Sequence, residues 1–79
     1  MIDFNTALEC VRNANPQRTI SGYIDTSNSD KFKDCYVFTT NDEFIDGCLL
    51  CVEKKTGLPG CIPIGEWLGE LSTKNAIEV

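Results

Sequence analysis

The chain contains five cysteines and no histidine. The cysteines are therefore the first candidates for chemistry. Histidine is the usual general base near neutral pH, a common metal ligand and the usual activator of Ser and Cys nucleophiles. Cys48 and Cys51 have the C-x-x-C spacing of zinc knuckles and thiol redox sites. Their flanks are strand-like, and positions 48 and 51 of a strand point to opposite faces. We therefore interpret the cysteines as small apolar residues and expect no catalytic, cofactor-binding or metal-binding residue.

Zinc and disulfide interpretations of the cysteines remain as weaker alternatives. Zinc would need four of the five thiols, and a single C-x-x-C with no histidine disfavours it. A structural disulfide is disfavoured because the number of cysteines is odd and because the expected compartment, the cytosol, keeps thiols reduced. The five cysteines are Cys10, Cys35, Cys48, Cys51 and Cys61.

Three carboxylates, Asp42, Glu43 and Asp46, cluster in one predicted loop. Paired acids perform glycosidase or metal chemistry only inside a cleft, which a small sheet with two helices rarely forms. A solvated loop beside a sheet edge is the simpler interpretation. If the loop is functional, its expected target is a basic or mixed surface on another protein.

The size and charge of the chain exclude several classes of partner. The 79 residues carry 12 acidic against 7 basic side chains, a net charge of −5, which disfavours direct binding to nucleic acid. No apolar run approaches the ~20 residues of a membrane span. The segment Met1–Asn5 lacks the features of a secretion signal. We expect one soluble, cytoplasmic domain over residues 1–79.

Apolar periodicity predicts an α+β fold: an N-terminal helix packed on a three- to four-stranded antiparallel sheet, with a short C-terminal helix. The first helix covers Asp3–Asn15, with Asp3 as N-cap, and ends before Pro16. Its apolar stripe comprises Phe4, Ala7, Leu8, Val11 and Ala14.

Alternating and β-branched patterns predict three strands and a short fourth, over Thr19–Thr26, Cys35–Thr40, Cys48–Glu53 and Leu58–Ile62. Gly57 suits the left-handed position of a hairpin turn over 54–57, and Pro59 confines the fourth strand to an edge. The C-terminal helix begins at Pro63, and its helically spaced apolar residues are Ile64, Trp67, Leu68 and Leu71.

The two faces of the predicted sheet are both apolar. The N-terminal helix should cover one face, formed by Ile20, Ile24, Tyr36, Phe38, Leu50 and Val52. The other face carries Tyr23, Cys35, Val37, Leu49 and Cys51. Either the helix that carries Trp67 covers this second face, in a sandwich of helix, sheet and helix, or the face is open. We expect both helices to share the first face, because a three-layer core would leave each layer too few apolar residues. The second face is then open and available to a partner protein or a second copy of the chain. Its candidate partner-binding residues are Tyr23, Val37 and Leu49, together with Asp42, Glu43 and Asp46.

Several short motifs carry a resemblance to known proteins: Asn15-Pro16 after an amphipathic helix, Gly22-Tyr23, Tyr36-Val37-Phe38, and Val52-Glu53-Lys54-Lys55-Thr56-Gly57. The combination resembles a group of short uncharacterised bacterial and prophage proteins. It is also similar to small immunity proteins that protect bacteria from polymorphic toxins. The resemblance implies a helix followed by a small sheet, and a role among mobile or competitive bacterial genes. It carries no catalytic residues to this chain.

The function expected from the sequence is that of a non-enzymatic protein-binding inhibitor. Two settings fit: an immunity protein that blocks a toxin, or a phage counter-defence protein that blocks a host nuclease. The alternative is a homodimeric accessory or structural module without inhibitory activity. A cysteine-based zinc or redox protein is the weakest of the three.

Overall fold

The computed structural model describes residues 1–40, 49–63, 65–67 and 76–79, and in these ranges one long helix is followed by five strands. The elements are α1 (Phe4–Ala14), β1 (Ile20–Ile24), β2 (Cys35–Thr40), β3 (Leu49–Glu53), β4 (Pro59–Ile62) and β5 (Ile77–Glu78). Residues 65–67 are helical too, so the predicted α+β class is confirmed. Several residues named in the sequence predictions lie outside the described ranges: Asp42, Glu43, Asp46, Cys48, Ile64, Leu68 and Leu71.

The strands form one antiparallel sheet in the order β4-β3-β2-β1-β5. Strand β2 is central, which agrees with its apolar residues on both faces. Strand β4, which contains Pro59, lies at an edge as predicted. Proline has no backbone N–H, and at an edge its absence does not interrupt the hydrogen bonds between strands. The sequence patterns did not predict the fifth strand, in which Ile77 and Glu78 pair with Tyr23 and Gly22.

The first helix begins and ends at the residues that the sequence predicts. The side chain of the N-cap Asp3 accepts a hydrogen bond of 2.8 Å from the backbone N–H of Thr6, and Asn15 is the C-cap. Ala7 and Val11 are fully buried against the sheet. Ala14 was expected in the apolar stripe but is exposed, because the last turn of α1 lies at the rim of a surface cleft.

The β3–β4 hairpin has the predicted turn. Gly57 has φ of 73°, a left-handed conformation that residues with a Cβ rarely adopt. Its backbone N–H donates to the carbonyl of Glu53 at 2.8 Å, and the N–H of Glu53 donates to the carbonyl of Leu58 at 2.9 Å. Beside the hairpin, the backbone N–H of Ile2 donates to the carbonyl of Lys54 at 2.8 Å.

Apolar residues form a separate core on each face of the sheet. The core beneath α1 contains the buried residues Ala7, Val11, Ile20, Phe38, Leu50 and Val52. The core on the second face contains the buried residues Ile24, Phe32, Val37 and Ile62. The described residues thus form three layers, although the sequence favoured two.

A β-bulge in β1 changes which side chains share a face. The pairing with β2 passes from Ile20–Thr40 directly to Gly22–Thr39, so β1 has one more residue than its partner over this interval. The extra residue reverses the alternation of side chains beyond it. Tyr23 therefore packs with Ile20 beneath α1, and Ile24 packs on the second face. The predicted placement of Tyr23 and Ile24 is wrong for this reason.

The expectation that both helices share one face is also wrong. Trp67 packs against the core of the second face, as do Leu49, Cys35 and Cys51. The segment between β1 and β2 helps to cover this face, because its Phe32 is only 5% exposed. Lys31 links that segment to the helical residues 65–67, since its Nζ donates to the carbonyl of Glu66 at 3.3 Å.

The polar residues between β1 and β2 form an ordered cover for the second face. The Thr26 hydroxyl donates to the carbonyl of Cys35 at 2.9 Å, and the Ser29 hydroxyl accepts from the N–H of Phe32 at 3.2 Å. Thr26 and Ser29 are both 3% exposed, so these bonds satisfy buried polar groups. This polar segment is therefore held in place by its own side chains.

Candidate functional site

The three apolar residues predicted to bind a partner lie in different environments. Val37 is fully buried in the core of the second face, so its side chain offers no surface to a partner. Leu49 is half-buried on that same face, beside the core. Tyr23 is half-buried beneath α1. The structure therefore does not bring Tyr23, Val37 and Leu49 together on one open face.

Tyr23 belongs to an aromatic cluster around the ring of Phe4. The ring centroid of Phe4 lies 4.6 Å from that of Tyr23, 5.8 Å from that of Tyr36 and 5.6 Å from that of Phe38. These tilted and edge-on pairs have the separations at which aromatic rings attract one another. The Tyr36 hydroxyl donates to the carbonyl of Ile2 at 3.0 Å, which anchors the chain before α1 to the sheet.

A surface recess of about 290 Å³ opens beside this cluster, where β1 ends and β2 begins. Aromatic side chains and ionisable residues meet at its walls. The residues lining it are Phe4, Tyr23, Ile24, Asp25, Thr26, Tyr36, Val37 and Lys54. We call this feature the aromatic recess. Two of the predicted partner-binding residues, Tyr23 and the buried Val37, line it together with the carboxylate of Asp25.

The aromatic recess has a charge of each sign beside its rings. The Nζ of Lys54 lies 5.1 Å from the ring centroid of Tyr36, within the range of a cation–π contact. Asp25 is exposed, and its Oδ1 accepts from the backbone N–H of Ser27 at 3.0 Å and from the Ser27 hydroxyl at 2.8 Å. These two bonds hold the carboxylate in a defined turn, so Asp25 is a preorganised anion.

Sequence patterns did not identify Phe4, Asp25, Tyr36 or Lys54 as site residues. One feature of the sequence, Gly22, could have indicated them. Gly22 lies inside a strand, and an interior glycine often marks a bulge or a close backbone approach. A bulge at that point would have placed Tyr23 on the helix side with Tyr36, next to Phe4.

The acidic side chains lie on the surface. All eight aspartates and glutamates within the described ranges are exposed: Asp3, Glu9, Asp25, Asp30, Asp34, Glu53, Glu66 and Glu78. The hydrogen bonds from Thr6 lower the pKa of the Asp3 carboxyl, so that group is ionised at neutral pH. Since the chain carries a net charge of −5, the field around it is predominantly negative.

Two cysteines lie side by side on the second face. Cys35 of β2 and Cys51 of β3 are diagonal neighbours in the sheet, and both are half-buried. Burial raises the pKa of Cys35, and burial together with the neighbouring thiols raises the pKa of Cys51 to about 11. A thiol with a raised pKa is a poor nucleophile near neutral pH.

Among residues 1–40, 49–63, 65–67 and 76–79, no three His, Cys, Asp or Glu side chains converge in the manner of a metal site. Within the same ranges, no helix has the length and apolar character needed to cross a bilayer. Comparison of the chain with protein-family models, with curated proteins and with solved structures returned no match.

Proposed function

We propose that this chain is a non-enzymatic inhibitor that binds a basic or mixed surface of another protein. The aromatic recess is the observation that supports this function best. It combines the rings of Phe4, Tyr23 and Tyr36 with the carboxylate of Asp25 at one end of the sheet. This combination suits a lysine or arginine side chain supplied by the partner.

A cationic side chain is favoured in the recess by two interactions. The face of an aromatic ring attracts a cation with about 0.5–1 kcal/mol at exposed sites and more when the pair is desolvated. A carboxylate adds a charge-assisted hydrogen bond, which is shorter and stronger than a neutral one. Because Lys54 already lies over the ring of Tyr36, the partner's cation would bind on the side of Tyr23 and Asp25.

The exposed carboxylates would steer the partner toward this chain. Complementary charge raises the rate of encounter and disfavours partners of the wrong sign. The acidic segment with Asp42, Glu43 and Asp46 follows β2 directly and belongs to this proposal as a second source of negative charge. Variants with reversed charge at these three positions should associate with the partner more slowly, and their association rate should depend less on salt concentration.

Two biological settings agree with an acidic inhibitor of this size. In one, the chain is an immunity protein that blocks a toxin, as the resemblance to small immunity proteins implies. In the other, it is a phage or mobile-element protein whose acidic surface occupies the nucleic-acid channel of a defence nuclease. A toxin gene beside the coding sequence would support the first setting, and phage structural genes would support the second.

A homodimeric accessory module is the second candidate, and the C-terminal strand favours it. Ile77 and Val79 are 45% and 43% exposed at the edge of the sheet formed by β5. An exposed edge with apolar side chains can pair with a second copy of the chain. Sedimentation equilibrium distinguishes the candidates, since a dimer that captures no other protein supports the accessory module.

The inhibitor proposal is tested by capture from a host lysate, identification of the bound protein, and measurement of its affinity for variants. Asp25→Asn removes the charge but keeps an oxygen for the hydrogen bonds from Ser27. Glu9→Gln removes one charge from the exposed side of α1 and is the matched control. We expect Asp25→Asn to weaken binding and Glu9→Gln to leave it nearly unchanged. Equal effects of the two variants would contradict a role for the aromatic recess.

A further inference from the structure

The two edge strands of the described sheet, β4 and β5, differ in what they offer to an added strand. In an antiparallel pair, residues that bond to the neighbouring strand alternate with residues whose N–H and C=O point away from it. The N–H of Glu53 donates to the carbonyl of Leu58 at 2.9 Å, so the outward positions of β4 are Pro59 and Cys61. Proline has no N–H, which leaves the N–H of Cys61 as the outward donor of β4. This edge is protected against pairing.

Strand β5 offers both an outward donor and an outward acceptor. The N–H of Val79 donates to the carbonyl of Ser21 at 3.4 Å. The preceding residue, Glu78, lies opposite Gly22, so by the same alternation its N–H and C=O point away from β1. The Glu78 side chain is exposed and makes no ion pair with a described residue. An added strand therefore finds free backbone groups and an available carboxylate at this edge.

The side chains of β5 define the chemistry of a strand that fits it. Residues directly opposite each other in an antiparallel pair interact on one face of the sheet. A residue opposite Glu78 would lie beside the carboxylate, and its two neighbours would lie beside Ile77 and Val79, which are 45% and 43% exposed. Opposite charges and apolar pairs both stabilise such contacts. The matching segment is extended and has a basic residue between two apolar ones.

A second copy of the chain matches this edge less well. Two β5 strands paired about Glu78 would place two carboxylates opposite each other, and like charges in that position destabilise a strand pair. Each copy also carries a net charge of −5. A basic segment is attracted both by Glu78 and by the field of the whole chain.

We propose that the β5 edge binds an extended segment of the partner protein, with a lysine or arginine opposite Glu78 and an apolar residue on each side of it. This inference rests on the proposed function, because it states how a basic partner is held. Ile77 pairs with Tyr23, which lines the aromatic recess, so one partner can occupy the edge and the recess together.

The test is an NMR titration of the isotope-labelled full-length chain with a short capped peptide of sequence Thr-Val-Lys-Val-Thr. We expect the amide signal of Glu78 to shift and its hydrogen exchange to slow, without such changes at Cys61 of β4. A peptide with glutamate in place of lysine should bind about fivefold more weakly, the ratio expected for one charge pair across strands. Methylation of the backbone nitrogen of the peptide's lysine keeps the charge but removes a hydrogen bond to Glu78, and should abolish the slower exchange.

Charge reversal at the edge provides the matched variants. In Glu78→Lys the glutamate peptide should bind more tightly than the lysine peptide. Glu9→Lys makes the same change on the exposed side of α1 and should keep the preference for lysine. Circular dichroism checks that each variant is folded. If Glu78→Lys is unfolded, Glu78→Gln replaces it and should bind the two peptides equally.

Equal binding of the two peptides to the parent chain would overturn the proposal. So would slower exchange at Glu78 with rising protein concentration and no peptide, which would assign the edge to a second copy. If the peptides do not bind at β5 but the captured partner still distinguishes Asp25→Asn from Glu9→Gln, the edge proposal fails and the function proposed for the aromatic recess stands.

Discussion

The ring of Phe4, the first residue of α1, lies 4.6 Å from the ring of Tyr23 in β1 at an interplanar angle of 54°. This contact joins the start of the helix to the strand that carries the bulge. It exists because the bulge turns Tyr23 toward the helix. The same contact forms one wall of the aromatic recess, so it links the packing of the fold to the proposed function.

Replacing Phe4 tests how much the aromatic cluster contributes to stability. Phe4→Ala removes contacts to three rings, and large-to-small changes of Phe in a core cost about 3–5 kcal/mol. Because Phe4 is half-buried, we expect the free energy of unfolding to fall by a value near the lower limit, about 3 kcal/mol. Urea denaturation measures it. Met1→Ala is the control, since Met1 is 87% exposed and should change stability little.

Gly22 tests whether β5 is necessary for the native sheet. A Cβ at Gly22 would lie 2.7 Å from the backbone carbonyl oxygen of Ile77 and 3.1 Å from Oγ1 of Thr39. Since backbone atoms in a strand cannot move aside cheaply, Gly22→Ala should displace β5. Hydrogen exchange at the amide of Val79, which donates to the carbonyl of Ser21 at 3.4 Å, should become faster. Gly65→Ala is the matched control, because a Cβ there meets no atom within 4 Å. Unchanged exchange in Gly22→Ala would contradict the β1–β5 pairing.

Gly57 tests the hairpin turn. Gly57→Ala places a Cβ on a residue with φ of 73°, and a left-handed conformation costs a residue with a Cβ about 1–2 kcal/mol. We expect thermal denaturation to show a loss of stability of that order. Gly60→Ala in β4 is the control, because its Cβ would meet only Sγ of Cys51, at an ordinary 3.5 Å. Equal stability of the two variants would argue against the left-handed turn.

The N-cap of α1 makes stability depend on pH in the acid range. Hydrogen bonds from Thr6 lower the folded-state pKa of Asp3, so the cap contributes stability above the unfolded-state pKa and loses it as the pH falls through the folded-state pKa. Asp3→Asn keeps a capping oxygen but does not titrate. The difference in free energy of unfolding between the parent and Asp3→Asn should therefore be constant near neutral pH and decrease below about pH 4. A difference independent of pH would refute this role of the carboxylate.

The cysteines should differ in their rates of alkylation. Cys61 is exposed, whereas Cys51 is half-buried and burial raises its pKa to about 11. Iodoacetamide reacts with the thiolate, so at pH 8 it should label Cys61 well before Cys51. The rate at Cys51 should rise with pH up to about 11. Mass spectrometry of peptides after short pulses measures both rates. Faster labelling of Cys51 than of Cys61 would show that the second face is not covered as described.

Local patterns in the chain were sufficient for most of the elements. The apolar periodicity of residues 3–15, with Asp3 before it and Pro16 after it, specifies a helix through neighbours three and four positions apart. The turn at Gly57 and the edge position of β4 also depend on residues close in sequence. These predictions are confirmed because the determining interactions are local.

The tertiary structure alone decided which residues share a surface. One extra residue in β1 exchanged the faces of Tyr23 and Ile24. The alternation of apolar residues along a strand does not show where such a bulge occurs. The aromatic recess follows from that bulge. The predicted open face is lost for a different reason, because Phe32 and Trp67 pack on it around the buried Val37. The adjacency of Cys35 and Cys51 likewise depends on the register between β2 and β3, which is set by pairing across the sheet and not by the spacing of cysteines along the chain.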